Sequence, residues 1–390
     1  MRVLWYSPSP FFGSGYGVAT AAIVPRLQAA GHEVLIFSPT HHGRAPVQYK
    51  GMTIVGITGQ PYGTDMVGHY VAEFLPDVVI TMYDEWVLGS FQDILGNLYL
   101  PWVVNHYEPM EPILRETVKK TWRQLAFSPW SAQVMKEAGL DARVVPLGVD
   151  TKQFCPLIGS LDDTGRIIEK KELKKQFGAY EDEFLIGMVA ANIDFRKNLE
   201  GQFRVFADFW KTHKDSRLFI KTNPEAPGGG WKIPDMIQAM FGLTTDNPRA
   251  PVSYTKDGNT DLSGATMALW YNAFDVYLGC SYSESVGLPL VEANACGVPA
   301  IYTDFSGMPY YAYGWPVKGT MELNILYSFG CRPDEQSMWN ALDAAYKQRG
   351  TPEAQVTSAL ARAHSLQFDW DVTVKTLLRE LEDWVLDKPL

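Results

Sequence analysis

Residues 276–303 read VYLGCSYSESVGLPLVEANACGVPAIYT, and the rest of the chain is organised around them. Residues 276–278 are a short apolar, β-prone run that ends in the small, polar segment 279–284. Pro289 follows Gly287 at the place where a proline suits the first turn of a helix, since its missing N–H would have no partner there. Gly297 comes after the small residues 293–296, where a helix commonly stops, and Pro299 prevents it restarting. The stretch therefore predicts strand, loop, short helix, and a further strand over residues 300–303.

A helix that starts at the carboxyl end of a strand offers unpaired N–H groups and the positive end of its dipole to an anion. The expected donors here are the amides of Gly287, Leu288, Leu290 and Val291. Glu284 in the loop and Glu292 one turn into the helix bracket the same place. A carboxylate beside an anion site calls for hydroxyl donors, which a sugar and a ribose would supply. The alternative is that Glu284 is a solvated loop residue and Glu292 a charge that complements the helix start.

The string Glu284-Ser-Val-Gly-Leu-Pro-Leu-Val-Glu292, continued by Ala-Asn-Ala-Cys-Gly-Val-Pro, resembles the E-x7-E signature of retaining glycosyltransferases of the GT-B fold, family 4, the glycosyl transferases group 1. The resemblance implies that Glu284 lies at the donor sugar, that Glu292 holds the ribose hydroxyls, and that the glycine-led backbone between them meets the diphosphate. Two further strings carry it. Residues 126–131, Ala-Phe-Ser-Pro-Trp-Ser, and residues 144–150, Val-Val-Pro-Leu-Gly-Val-Asp, are similar to the family's approach to its interdomain region.

A length of 390 residues suits about two domains, each able to bury its own core. With 46% hydrophobic and 20% charged residues the chain is globular in composition. A net charge of -10 argues against a broad electrostatic grip on nucleic acid or anionic lipid. No apolar run reaches the length of a membrane span, and the opening Met-Arg-Val-Leu-Trp-Tyr-Ser-Pro lacks signal-peptide architecture, so a cytoplasmic protein is expected. The four cysteines, at 155, 280, 296 and 331, show no metal-ligand spacing and read as free thiols in a reducing compartment.

In the amino-terminal half, residues 2–7 predict a strand, 8–17 a glycine-rich turn, 18–30 a helix kinked at Pro25, and 34–37 a second, parallel strand. Gly13, Gly15 and Gly17 invite a dinucleotide reading. However, Val18 stands where the third glycine belongs, and Phe37-Ser38-Pro39 lacks the acid a ribose of NAD would want. In the resembled family this loop touches the donor phosphate or the acceptor. That implies donor contacts at Gly15 and Gly17 and acceptor contacts at Gly13 and Ser14; a plain strand-to-helix turn is the alternative. Strands over 77–82 and 101–105 end at Asp84-Glu85 and at His106-Tyr-Glu108, where open α/β sheets place their sites. His106 resembles the family histidine that faces the transferred sugar and acceptor, with Glu108 close behind. Asp84 and Glu85 are weaker acceptor candidates or solvated residues.

Residues 155–183 are charge-rich and predict a linker and an amphipathic helix over 168–177. A strand over 184–190 then leads to Asn192-Ile-Asp-Phe-Arg196-Lys197-Asn198, which opens a helix over 199–210. Arg196 and Lys197 at such a loop suit a diphosphate, the guanidinium giving paired hydrogen bonds and the ammonium a point charge. The family commonly carries Arg where this chain has Asn192, so Arg196 and Lys197 are expected to share that duty. The Gly/Pro-rich residues 223–251, with Pro227-Gly-Gly-Gly-Trp231, read as a loop that covers or shapes a site, with a helix around 233–241. A strand over 252–255 places the backbone near Tyr254 where the family reads the base. Asp369-Trp370-Asp371 imitates a metal-binding D-x-D but opens a helix, so it reads as a cap and a packed tryptophan.

The expectation is an α/β chain of the GT-B type: two Rossmann-like doubly wound domains facing across a cleft, with a carboxyl-terminal helix crossing back to the first. The expected boundaries are 1–155 completed by 371–390, a linker and edge helix over 156–183, and 184–370. The implied activity is metal-independent, retaining transfer from a nucleotide diphosphate sugar, UDP or GDP foremost, by front-face attack. The donor is a co-substrate and no cofactor is held permanently. His106, Arg196, Lys197 and Glu284 are the implied catalytic residues. The acceptor class (glycan, lipid, protein, small molecule or modified nucleic acid) stays open, with no stable nucleic-acid or transmembrane association. An NAD-dependent oxidoreductase and a non-catalytic sugar-nucleotide or glycan binder are the rival classes.

Overall fold

Val3, Leu4, Trp5 and Tyr6 are all fully shielded from solvent, and an unbroken apolar run of this kind belongs at the centre of a parallel sheet. In the computed structural model it is β1 (Arg2–Tyr6). The structure describes residues 1–43, 45–192, 195–225, 229–244, 247, 250–255 and 262–389. They form two compact units, one of Met1–Gly148, Leu323–Phe329 and Phe368–Leu390, the other of Val149–Glu322 and Gly330–Gln367.

The sheet of the first unit adds β2 (Glu33–His42), β3 (Val47–Tyr49), β4 (Met52–Ile57), β5 (Val78–Thr81), β6 (Tyr99–Val103), β7 (Gln124–Ala126) and β8 (Ala142–Val144). Its order is β3-β4-β2-β1-β5-β6-β7-β8, with β3 antiparallel to β4 and the other pairs parallel. The helix Gly15–Ala29 follows β1 and contains Pro25 without ending there. The helix Trp370–Asp387 completes this unit. Its fully buried Trp384 stacks on Trp122 at 4.3 Å, and Asp371 and Asp387 pair with Arg26 and Arg123 at 2.7 and 2.9 Å. Asp369 caps the helix by accepting from the Asp371 amide, and Trp370 is buried, so the Asp-Trp-Asp string is spent on the helix start.

The second unit has a parallel sheet of β9 (Phe184–Val189), β10 (Ser216–Lys221), β11 (Val252–Tyr254), β12 (Val276–Gly279), β13 (Ala300–Thr303) and β14 (Gly314–Val317). Its order is β11-β10-β9-β12-β13-β14, which reverses direction between β9 and β12. That is the doubly wound dinucleotide-type order, and ligands of such sheets bind beyond the strand ends where the order reverses. The helix Leu199–Thr212 covers one face with Phe203, Phe206 and Phe209, all fully buried at helical spacing. Both sheets are thus Rossmann-like.

Local differences from the sequence reading have simple causes. The second strand runs on to His42, which pairs with Ile57 of β4 after a register shift that follows Ser38. The helix expected over 168–177 shrinks to Lys170–Lys175, and residues 308–311 make a short helical turn. A two-stranded sheet of Gly319–Leu323 and Phe329–Pro333 escaped the sequence reading, since its first strand is exposed throughout and shows no alternation.

Candidate functional site

The signature stretch folds as strand, loop and helix, with β12 followed by the helix Leu288–Ala295 and then β13. Gly287 caps the helix start at φ 76°, a left-handed conformation that side chains other than glycine adopt at a cost. The loop after β9 arrives from the other side of the order reversal. Phe195–Lys197 is a single 3-10 turn, and Asn198, itself left-handed at φ 51°, redirects the chain into the helix Leu199–Thr212.

Four hydrogen bonds lace the two loops together. The Tyr282 amide donates to the Arg196 carbonyl at 2.7 Å, and the Asn198 amide group donates to the Cys280 carbonyl at 3.1 Å. Gln202 bridges both loops, accepting from the Cys280 amide at 2.9 Å and donating to the Lys197 carbonyl at 2.8 Å.

This lacing sets three charges against one another. The Glu284 carboxylate accepts from Arg196 Nη1 at 2.7 Å, from Lys197 Nζ at 2.5 Å and from Ser281 Oγ at 2.9 Å. Arg196 also donates to the Ser283 carbonyl at 3.0 Å. Behind the carboxylate, the Glu284 amide donates to Ser306 Oγ at 3.0 Å, while its carbonyl accepts from the Gly307 amide at 2.9 Å. Glu284 is 8% exposed, so this is a sheltered cluster and not a solvated surface trio. A small recess opens on it, lined among others by Lys197, Ser281, Glu284, Gly287 and Leu290.

Glu292 lies one turn into the helix and accepts from the buried Tyr271 hydroxyl at 2.7 Å. Burial raises the pKa of its carboxyl, while that hydroxyl and Lys221 act in the opposite direction. Among the expected amide donors, that of Leu290 is already engaged by the Gly287 carbonyl at 2.8 Å, because the helix tightens in its first turn. Leu288 and Val291 lie in that same first turn. Tyr254 ends the edge strand β11, with β10 between it and β9, and so stands about 10 Å from β9, apart from the Glu284 cluster.

Asn192 has a duty that its sequence position did not reveal. It is 2% exposed, donates to the carbonyls of Asn223 and Trp231 at 2.8 and 2.6 Å, and accepts from the Trp231 amide at 2.7 Å. It therefore pins the loop after β10. Ile193, Asp194, Pro227 and Gly228 lie outside the described residues.

The remaining candidates lie in the first unit. Gly13 and Gly15 are exposed, and Ser14 caps the helix Gly15–Ala29 by accepting from the Gly17 amide at 3.1 Å. A side chain at Gly17 would sit 2.1 Å from the Phe12 carbonyl oxygen, so close approach of backbone requires glycine there. Asp84 is half-buried and accepts from the Tyr16 hydroxyl at 2.9 Å. His106 is half-buried with its ring against Tyr107. Glu108 accepts from the Trp130 indole at 3.1 Å. Glu111, not anticipated, is buried and accepts from the His106 backbone amide; burial pushes its carboxyl up to about 7.

Glu85, read as an acceptor contact or a solvated acid, is neither. It is fully buried and accepts from Thr81 Oγ1 and from the Tyr99 hydroxyl, each at 2.5 Å. Burial pushes its carboxyl up to about 8, with the two hydroxyls pulling part of the way back. An acid whose pKa is raised by folding binds more protons in the native state, so its stabilisation is complete below the ordinary carboxylate range and fades as pH rises towards 8. Glu85→Gln should flatten the decline of melting temperature between about pH 5 and about pH 8. An unchanged slope would assign that decline to other groups.

Among the described residues no group of three or more His, Cys, Asp or Glu could hold a metal ion, and no helix is long and apolar enough to cross a membrane.

Residues 262–313 match the family described as glycosyl transferases group 1. The D-inositol 3-phosphate glycosyltransferase of Mycobacterium leprae (strain Br4923) is 34% identical over 116 residues, which is 30% of this chain and 25% of that protein. The chain thus spans about a quarter of the length of the curated relatives it matches. Sucrose-phosphate synthase from Thermosynechococcus elongatus superposes with a TM-score of 0.75 at 15% identity, over 99% of this chain and 100% of that one. Anabaena Alr3699/HepE in complex with UDP and glucose does so with a TM-score of 0.70 at 16% identity, over 98% and 100%. At these identities the solved structures speak for the fold alone. Residues 262–313 thus carry the segment of the glycosyl transferases group 1, within a chain that has the GT-B fold.

Proposed function

We propose that this chain transfers a sugar from a nucleotide diphosphate sugar to an acceptor, with the second unit holding the donor. The observation that carries the reading is the Glu284 carboxylate held at 2.7 and 2.5 Å by Arg196 and Lys197 where the strand order reverses. Two cations gathered on one sheltered acid form a ready-made counter-charge for a departing diphosphate. Glu292, one helical turn away and half-buried, suits the ribose hydroxyls, and the Gly287-led backbone suits the phosphates. The UDP and glucose bound by the structurally similar Anabaena protein support a sugar-nucleotide donor.

The step is retaining, family 4 in type, and needs no metal. The bond from the anomeric carbon to the phosphate oxygen breaks, and the acceptor oxygen bonds to the same carbon on the same face. The acceptor proton passes to the leaving phosphate. The protein supplies position and charge, with no covalent nucleophile. Glu284 orients the sugar, Arg196 and Lys197 carry the charge, and His106 with Glu108, Asp84, Gly13 and Ser14 serves the acceptor from the first unit. Gly15 and Gly17 let backbone approach the donor, Tyr254 serves the base, and a cytoplasmic setting suits the free thiols. Screening UDP-, GDP- and ADP-sugars for release of the free nucleotide tests the reading. Release with one donor class is expected; binding of all three without release from any would leave a non-catalytic binder.

A further inference from the structure

The first unit has an order reversal of its own, between β1 and β5, and an open recess beside the carboxyl ends of β2 and β4. His42, Thr58, Tyr62 and Tyr83 line it. Three tyrosines run along this edge, with ring centres 5.7 Å apart for Tyr16 and Tyr83 and 6.0 Å apart for Tyr62 and Tyr83. Tyr62 and Tyr83 are half-exposed, so their rings are held in place yet present surface to a ligand. Asp84 follows Tyr83, and its carboxylate is steadied by the Tyr16 hydroxyl at 2.9 Å.

Tyr62 is also strained. Its backbone stands at φ 63°, ψ 4°, a left-handed conformation that a bulky side chain adopts only when its surroundings impose it. The imposing group is the fully buried Tyr6, whose hydroxyl donates to the Tyr62 carbonyl at 2.8 Å. Strain of this kind gathers where a side chain must be held for a purpose.

The chemistry of the recess selects its ligand. Aromatic rings carry a negative face that attracts weakly positive C–H groups, while the hydroxyls of Thr58, Tyr62 and Tyr83 and the imidazole of His42 want hydrogen-bonding partners at the edge. A pyranose ring supplies both, a face of C–H groups and a rim of hydroxyls. A lipid chain would leave these polar groups unanswered. We infer that this recess is a pyranose subsite, and that the acceptor handled by the first unit is itself a carbohydrate. The inference rests on the proposed transfer reaction for the word acceptor and goes beyond it by naming the class.

The test uses the full chain and the methyl glycosides of glucose, galactose and mannose, with uridine and dihexanoylglycerol as counter-probes, read by ligand-observed NMR titration. At least one glycoside should bind, and Tyr83→Ala and Tyr62→Asn should each weaken it about tenfold, the value of one lost aromatic contact. Asparagine accepts the left-handed backbone, so Tyr62→Asn keeps the fold and decides the matter if Tyr83→Ala does not fold. Nucleoside diphosphate binding should be unchanged in both. Failure of every glycoside to bind, wild-type affinity in Tyr62→Asn, or displacement of the glycoside by uridine or dihexanoylglycerol would each overturn the assignment. A wild-type chain that binds glycosides but no nucleoside diphosphate would sustain the subsite and defeat the donor reading instead.

Discussion

Lys197→Ala lowers turnover on the order of 10²–10³-fold, the effect of removing one charge-stabilising donor from a sheltered site. The ammonium is 2.5 Å from Glu284, and its side chain is 17% exposed. Its charge is therefore felt strongly by any phosphate that replaces the carboxylate. Glu284 retains Arg196 and Ser281 after the substitution, so the loop keeps two of its fastenings and the melting temperature moves little. Nucleotide release at saturating donor, alongside a thermal melt, reads both quantities. Wild-type turnover in a folded variant would remove Lys197 from the chemistry.

Glu284→Gln separates binding from transfer. The carboxylate holds the two cations that the proposed diphosphate contact would use, so under that proposal donor and acid compete for the same two partners. Removing the negative charge leaves two cations close together and short of counter-charge. Free nucleoside diphosphate should then bind about tenfold tighter, the worth of about one charge-assisted hydrogen bond. Transfer should fall about 10²-fold or more, because the amide replaces the acid proposed to orient the sugar. Calorimetry with UDP and GDP, set beside turnover, shows whether affinity and rate move in opposite directions. If both weaken together, Glu284 acts in holding the loop and not in exchanging partners with the donor.

The strand, loop and helix of residues 276–303 were legible because glycine and proline mark their boundaries by backbone geometry, which needs no tertiary context. The meeting of Arg196 and Lys197 with Glu284 was legible only through the resemblance, since Arg-Lys at a helix start is otherwise an ordinary surface pair. Ser281, Ser306 and Gln202 carry no such mark. They are common polar residues whose value comes from which backbone group happens to face them. Glu85 misled for the opposite reason: a strand end looks the same in sequence whether the next side chain turns outward or folds back to Thr81 and Tyr99. Asn192 was noticed as a departure, but its bonds run to Asn223 and Trp231, more than thirty positions away, and no local pattern encodes that. Tyr62 was invisible, because a left-handed tyrosine has no compositional signal.

The helix Trp370–Asp387 has a bearing on how the protein is made. It closes a unit whose first 148 residues leave the ribosome long before it does. Until those last turns are synthesised, Trp122 lacks its stacking partner and Arg123 lacks the carboxylate of Asp387. The whole of the second unit is translated in the interval, so the half that is started first is the half that is finished last.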